Sequence, residues 1–141
     1  MTVHTDAQTC VLLLVEDSPS DILLTREALA VIPGSYTLYV VQDGVEALAF
    51  LRAEAAYRDT PRPQLVLLDW NLPKKHGSEV LSTLRADLDL YEIPVVVLTT
   101  SQNPRDTDAA RMLEANGYFT KPTDFGDFVD LLQRILQSYC A

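Results

Sequence analysis

The stretch Val11-Leu12-Leu13-Leu14-Val15-Glu16-Asp17 places a short apolar run directly before two acids. Such a run, bounded by polar residues, is typical of a strand buried on both faces. The pattern recurs at Leu65-Val66-Leu67-Leu68-Asp69. A third run, Pro94 to Leu98, ends in Thr99-Thr100, and a fourth, Tyr118-Phe119-Thr120, ends in Lys121-Pro122. Ligands of open parallel sheets bind beyond the carboxyl ends of the strands. The sequence therefore predicts one site where acids, hydroxyls and a lysine meet.

Helical segments separate these runs. Ser18 and Pro19 suit the N-cap and first position of a helix that ends near Ile32. Tyr36 to Val41 is β-branched and aromatic and predicts the second strand in chain order. Four further helices are predicted to begin at Asp43-Gly44, Gly77, Pro104 and Asp124, with Gly117 ending the fourth helix of the chain.

Five strand–helix units in strict alternation predict an α/β fold with a parallel sheet covered on both faces. We expect a flavodoxin-like (βα)5 doubly wound sheet with strand order 2-1-3-4-5. The switch point of that order lies between strands one and three, which end in Glu16-Asp17 and Asp69.

The 141 residues fit one domain, and we predict a flexible lead-in at 1–10 and the domain at 11–141. The formal net charge of −9 argues against non-specific nucleic-acid binding and against docking on anionic lipid. No apolar stretch approaches the roughly 20 residues needed to span a bilayer. The polar N-terminus carries no secretory signal pattern, so we expect a cytoplasmic protein.

The two cysteines, Cys10 and Cys140, form neither a CxxC motif nor a zinc-site spacing. We expect two free thiols in a reducing cytoplasm. A bridge between the two ends of the chain is the alternative that the sequence leaves open.

The predicted site gathers Glu16, Asp17 and Asp69. Two carboxylates 4 Å apart repel by about 4 kcal/mol at an effective dielectric of 20, and a divalent cation removes that conflict. Hard oxygen ligands with room for waters suit Mg²⁺. The backbone carbonyl of Asn71, two residues after Asp69, is expected as a further ligand.

Asp69 is the predicted reactive group, because a carboxylate can attack a phosphoryl group to give an acyl phosphate. The metal stabilises charge on the transferring oxygens. Lys121 is placed to grip a phosphate oxygen, and Thr99 offers a hydroxyl to the same crevice.

The chain resembles the response-regulator receiver domains of two-component signalling over residues 11 to 138. The matching segments are Val15-Glu16-Asp17-Ser18, Leu67 to Pro73, Gly77, Val97 to Thr100, and Lys121-Pro122. The resemblance implies Mg²⁺-dependent acceptance of a phosphoryl group from the phosphohistidine of a sensor histidine kinase. It also implies Asp69 as phosphoacceptor, Glu16 and Asp17 as acidic pocket, Thr99 as switch hydroxyl, Lys121 as phosphate lysine, and Tyr118 as aromatic switch residue.

The segments Leu72 to Gly77 and Leu98 to Ser101 are similar to those of the small receivers that serve phytochrome-type kinases. A bacteriophytochrome is therefore the expected kinase. Receivers of this type often form homodimers, for which Phe125, Phe128 and Tyr139 are candidates beside their role in the core. His76 departs from the family, which usually carries Asp before the glycine, so we expect different hydrogen bonding in that loop.

We expect a stand-alone response regulator and not an enzyme, since the sequence ends shortly after the last predicted helix. Output would then pass through another molecule: a protein partner, a phosphorelay or a phosphate sink. An aspartate-nucleophile phosphohydrolase of the haloacid-dehalogenase type is the alternative. That class needs an acid two residues after the nucleophile, where this chain has Asn71. A flavodoxin needs a hydroxyl- and glycine-rich loop where this chain has Glu16-Asp17.

Overall fold

The computed structural model describes residues 9–140 and contains a five-stranded parallel sheet. The strands are β1 (Cys10–Val15), β2 (Tyr36–Val41), β3 (Leu65–Leu68), β4 (Val95–Thr99) and β5 (Gly117–Thr120). Their order is β2-β1-β3-β4-β5, which confirms the predicted topology. Most of the predicted lead-in, residues 1–8, lies outside the described residues, and Cys10 is the first residue of β1.

Five α-helices connect and follow the strands: α1 (Pro19–Val31), α2 (Gly44–Leu51), α3 (Gly77–Ala86), α4 (Pro104–Met112) and α5 (Phe125–Tyr139). Each begins at a side chain that accepts a backbone N–H of the first turn, as Ser18 does for α1 and Asp124 for α5. A short 3-10 helix at Ala55–Tyr57 lies between α2 and β3. None of the helices in the described range 9–140 has the length and apolar character required to cross a membrane.

The predicted end of the fourth helix at Gly117 is wrong. Helix α4 ends at Met112 with Leu113 as its C-cap, and Glu114 takes the left-handed conformation with φ 62°. Gly117 instead opens β5, where a Cβ atom would lie 2.8 Å from the ring of Phe119. The glycine is therefore explained by close packing in the strand, whereas a non-glycine residue ends the helix.

Alternate residues of the central strands pack on opposite faces of the sheet. Leu13 and Val15 join the core beneath α2 and α3, while Leu12 and Leu14 join the core beneath α1 and α5. Burial on both faces explains why β1 and β3 read as continuous apolar runs. It also fixes the register that places the strand ends at a common edge.

The two cysteines form a disulfide, which corrects the expectation of two free thiols. Cys10 begins β1 and Cys140 is the C-cap of α5. Helix α5 packs against α1 beside β1 and ends where β1 starts, so the Cα atoms of the two residues lie 5.5 Å apart, within the range that a disulfide spans. The two cysteines are 130 residues apart in the sequence, so the sequence pattern did not indicate that they lie close together.

Candidate functional site

The register of the sheet sets the position of each predicted site residue. Val15 of β1 pairs with Leu68 of β3, so Glu16 and Asp69 follow at the same level. On the far side of β4, Thr99 pairs with Thr120, so Lys121 follows directly. At the carboxyl edge of the sheet, the acids therefore follow the central strands β1 and β3. The lysine follows β5, which is two strands from β3.

Three carboxylates meet at the centre of this edge. Glu16, Asp17 and Asp69 each offer an oxygen, and these oxygens all lie within 4.8 Å of one another. Glu16 is buried, Asp69 is half-buried and Asp17 is exposed. This set of hard oxygen donors, with one open side, fits a divalent cation that keeps several waters, as the sequence predicted.

Lys121 contacts the buried member of this cluster. Its Nζ donates to Oε1 of Glu16 and, at 3.0 Å, to Oδ2 of Asp21 in the first turn of α1. It forms no ion pair with Asp69 within the described residues. The structure thus brings the lysine to the predicted site, with Glu16 and Asp21 as its two partners.

Burial opposes ionisation at this pair. The pKa of Glu16 is raised from 4.5 to about 7. Desolvation is the main cause of the rise, the hydrogen bond and charge of Lys121 partly offset it, and the charge of Asp69 adds to it. Burial alone would lower the pKa of Lys121, but the bond to Glu16 and the charges of Asp69 and Glu16 raise it above its usual value. The lysine is therefore charged at neutral pH.

The loop after β3 orients Asp69. The backbone N–H of Trp70 donates to Asp69 Oδ1 at 2.8 Å, and the Trp70 ring is buried. Gly77 packs so closely that a Cβ atom there would lie 2.8 Å from the Asp69 carbonyl oxygen and from the Trp70 Cα. The glycine of the predicted motif therefore allows α3 to begin directly against the loop that carries Asp69.

His76, which departs from the family pattern, is the N-cap of α3. Its Nδ1 accepts the N–H of Ser78 at 3.0 Å, and Glu79 reaches back to the His76 N–H at 3.1 Å. The imidazole thus performs the capping that an Asp would perform. Asn71, whose backbone carbonyl is the fourth predicted ligand, is exposed in the same loop, and its role as a ligand stays a prediction.

Thr99 is fully buried at the end of β4. Its hydroxyl accepts the backbone N–H of Ser101 at 3.2 Å, and its carbonyl accepts the N–H of Lys121 at 2.8 Å. The Ser101 hydroxyl in turn donates to Asp106 of α4. A chain of hydrogen bonds therefore links the edge of the sheet to the first turn of α4.

The Tyr118 hydroxyl is buried and has no hydrogen-bond partner within the described residues. Its ring meets the edge of the Trp70 ring, with centroids 6.2 Å apart and planes at 82°. Burial raises the pKa of the hydroxyl above its usual value. The tyrosine thus lies inward beneath α4, a helix that buries only Ala110 among its side chains.

Sequence reasoning missed Asp21. Its position could have indicated a role in the site. Asp21 is the third residue of a helix predicted to begin at Pro19, and the start of that helix lies at the carboxyl edge of the sheet. Sequence reasoning also missed the backbone N–H of Trp70, because almost every residue type has a backbone N–H and the sequence does not show where it points.

Comparison with known proteins gives a consistent result. Residues 12–133 match the family model described as "Response regulator receiver domain". Response regulator Rcp1 of Synechocystis sp. is 46% identical over 125 residues, which cover 89% of this chain and 85% of that protein.

Two solved structures share the fold at high similarity. The phosphorylated cyanobacterial phytochrome response regulator RcpA is 41% identical with a TM-score of 0.89, over 94% of this chain and 95% of that one. The Mn²⁺-bound form of Rcp1 is 44% identical with a TM-score of 0.84, over 91% and 92% of the two chains.

Proposed function

Because this chain belongs to the response regulator receiver domain family, we propose that it accepts a phosphoryl group on Asp69 from a sensor histidine kinase. The observation that carries this proposal is the gathering of Asp69, Glu16 and Asp17 within 4.8 Å, with Lys121 bound to the same cluster. In this proposal Asp69 accepts the phosphoryl group, Glu16 and Asp17 hold a metal beside it, and Lys121 supplies positive charge.

In the proposed reaction an oxygen of the Asp69 carboxylate attacks the phosphorus of a phosphohistidine. A P–O bond forms, the P–N bond breaks, and the imidazole nitrogen leaves with the electron pair. The Trp70 N–H holds one carboxylate oxygen in place, which orients the group for attack. The phosphoryl oxygens then require positive charge, which Lys121 carries.

Mg²⁺ is the proposed metal, and Glu16, Asp17, Asp69 and the Asn71 carbonyl would hold it. When bound, it supplies charge stabilisation to the transferring oxygens. The Mn²⁺-bound form of Rcp1 supports a divalent ion in a relative. The three carboxylates of this chain supply the oxygen ligands that Mg²⁺ prefers.

Phosphorylation would act through Thr99 and through α4, together with Tyr118 beneath that helix. An acyl phosphate offers strong acceptor oxygens, for which the Thr99 hydroxyl would leave the Ser101 N–H. That change would loosen the hydrogen bond that ties Ser101 to Asp106 in α4. Helix α4 has few buried side chains, which favours it as the element that moves. Hydrogen exchange in α4 with and without a phosphoryl mimic measures this step.

A phytochrome-type kinase is the proposed phosphodonor, because RcpA is named as a phytochrome response regulator. The cytoplasm, where a kinase would find ATP, is the proposed location of the reaction. The protein would serve as the substrate of its kinase and not as an enzyme acting on small molecules.

A homodimer is proposed through β5 and α5. Phe119 of β5 is 38% exposed and lines a cleft of about 180 Å³ together with Leu131 and Ile135 of α5. Of the predicted contact residues, Phe125 is 40% exposed, Tyr139 is half-buried and Phe128 lies in the core. The cleft also has a polar side formed by Asn116, Arg134 and Ser138, and such a mixture of apolar and polar groups around an exposed aromatic ring suits a protein contact.

Phosphotransfer from an autophosphorylated, radiolabelled phytochrome kinase tests the central assignment. The unsubstituted protein is expected to take up label in the presence of Mg²⁺, and Asp69→Asn is expected to take up none, because the amide is not a nucleophile. Asp59→Asn, a change in an exposed loop, is the control and should behave as the unsubstituted protein. Label on the Asp69→Asn variant would reject Asp69 as the acceptor.

A further inference from the structure

Asp21 makes an ion pair that the reaction described above does not use. Its Oδ2 lies 3.0 Å from Nζ of Lys121 and joins α1 to the loop after β5, across 100 residues of sequence. The Asp21 side chain is 34% exposed and that of Lys121 is 12% exposed, so water only partly screens the pair.

The Lys121 ammonium has three N–H donors. Glu16 and Asp21 accept two of them, which leaves one donor for a further acceptor. Asp69, Glu16, Asp21 and Lys121 also border one small cavity of about 10 Å³. A phosphoryl group on Asp69 would extend from the same edge of the sheet that the lysine reaches.

Glu16 and Asp21 are not equivalent partners of the lysine. One carboxylate oxygen of Glu16 belongs to the acidic cluster, so a divalent ion would share the Glu16 carboxylate with Lys121. Asp21 is not a member of that cluster. It is therefore the carboxylate that stays available to Lys121 when a metal is bound.

We propose that Asp21 is a positioning residue for phosphoryl acceptance, which anchors the Lys121 ammonium so that its remaining N–H meets an oxygen of the phosphoryl group on Asp69. This inference rests on the proposed function. Asp21 contacts neither the phosphoryl group nor the metal in this arrangement and acts only through Lys121.

Binding of beryllofluoride with Mg²⁺, a mimic of the phosphoryl group, tests the inference. Trp70 is the only tryptophan of the chain and follows Asp69 directly, with its backbone N–H bonded to the Asp69 carboxylate, so its fluorescence reports binding at the site. Asp21→Asn is expected to lower the affinity for the mimic by roughly threefold to tenfold. This is the range for the loss of one partly exposed hydrogen bond between charged groups. Asp21→Glu keeps the charge and should recover most of the affinity.

Asp127→Asn is the matched control. Asp127 is also the third residue of its helix, and its N–H also bonds to the N-cap side chain, but within residues 9–140 it pairs with no lysine. Asp21→Asn and Asp127→Asn therefore remove the same helix-end charge, and only the first removes the anchor of Lys121. Thermal melting of each variant checks that it is folded.

A double-mutant cycle with Lys121→Met separates anchoring from a general charge effect. In the Lys121→Met background, Asp21→Asn should cause no further loss of affinity. An Asp21→Asn variant that binds the mimic as tightly as the unsubstituted protein, or more tightly, would overturn the inference. So would an equal loss in both backgrounds. If the unsubstituted protein fails to bind the mimic, the proposed function itself fails, and this inference fails with it.

Discussion

Glu16 is the residue whose environment differs most from that of an ordinary surface acid. It is 2% exposed, lies beside two further acids and shares the ammonium of Lys121 with Asp21. Burial of a carboxylate is costly unless charge and hydrogen bonds compensate for it. Here Lys121 compensates only in part, because the pKa of Glu16 stays raised to about 7.

This shift predicts how pH affects the stability of the metal-free protein. The folded state binds the Glu16 proton more tightly than the unfolded chain, so this contribution is complete below about pH 4.5 and is lost as the pH rises towards 7. The loss is at most about 3 kcal/mol, at about 1.4 kcal/mol for each unit of the shift.

Urea unfolding in EDTA at about pH 5 and about pH 8 measures this effect. Glu16→Gln removes the titration, so the stability of the unsubstituted protein relative to that variant should fall between the two pH values. A relative stability that is constant, or that rises, would contradict the assignment of the shift to Glu16.

Helix α5 serves two purposes at the scale of a single element. Its inner face buries five apolar side chains in the core, namely Phe128, Leu131, Leu132, Ile135 and Leu136. The 3.6-residue periodicity that predicted this face is visible in the sequence. Outside this face, Phe125 at the start of α5 and Phe119 on β5 have exposed rings, which the sequence pattern did not indicate.

Substitution of Phe119 tests the proposed dimer. Phe119→Ser is expected to weaken dimerisation by about tenfold or more, since truncating an aromatic residue at the centre of an interface commonly costs above 1 kcal/mol. Sedimentation equilibrium measures the association. Leu88→Ser, at a residue 88% exposed in the loop after α3, is the control and should leave the association unchanged. Equal association of Phe119→Ser and the unsubstituted protein would exclude this surface.

At the scale of the whole molecule, the Cys10–Cys140 disulfide joins the start of β1 to the end of α5. It closes nearly the whole domain into a loop. Cross-linking distant residues reduces the entropy of the unfolded chain, and for loops of this length the chain-entropy model gives about 4 to 5 kcal/mol. Cys10 is buried, which shields its sulfur from soluble reductants.

Reduction of the bridge is therefore expected to lower the free energy of unfolding by up to about 5 kcal/mol, because the unfolded chain regains freedom. Urea unfolding with and without a phosphine reductant measures the change. The double variant Cys10→Ser with Cys140→Ser is the control and should not respond to the reductant. An unsubstituted protein with the same stability under both conditions would show that the bridge contributes nothing.

The alternation of apolar runs with helical segments determined the fold and its strand order, because both depend on local periodicity and on the rules of parallel sheets. For the same reason it determined that Glu16, Asp69, Thr99 and Lys121 lie at one edge of the sheet. Caps such as Ser18 and Asp124 were also readable, since capping is a short-range property. The tertiary structure alone decided that Lys121 pairs with Asp21, that Cys10 meets Cys140 and that the Tyr118 hydroxyl is buried. Those features depend on distances and side-chain directions between segments far apart in the chain, which the order of residues does not specify.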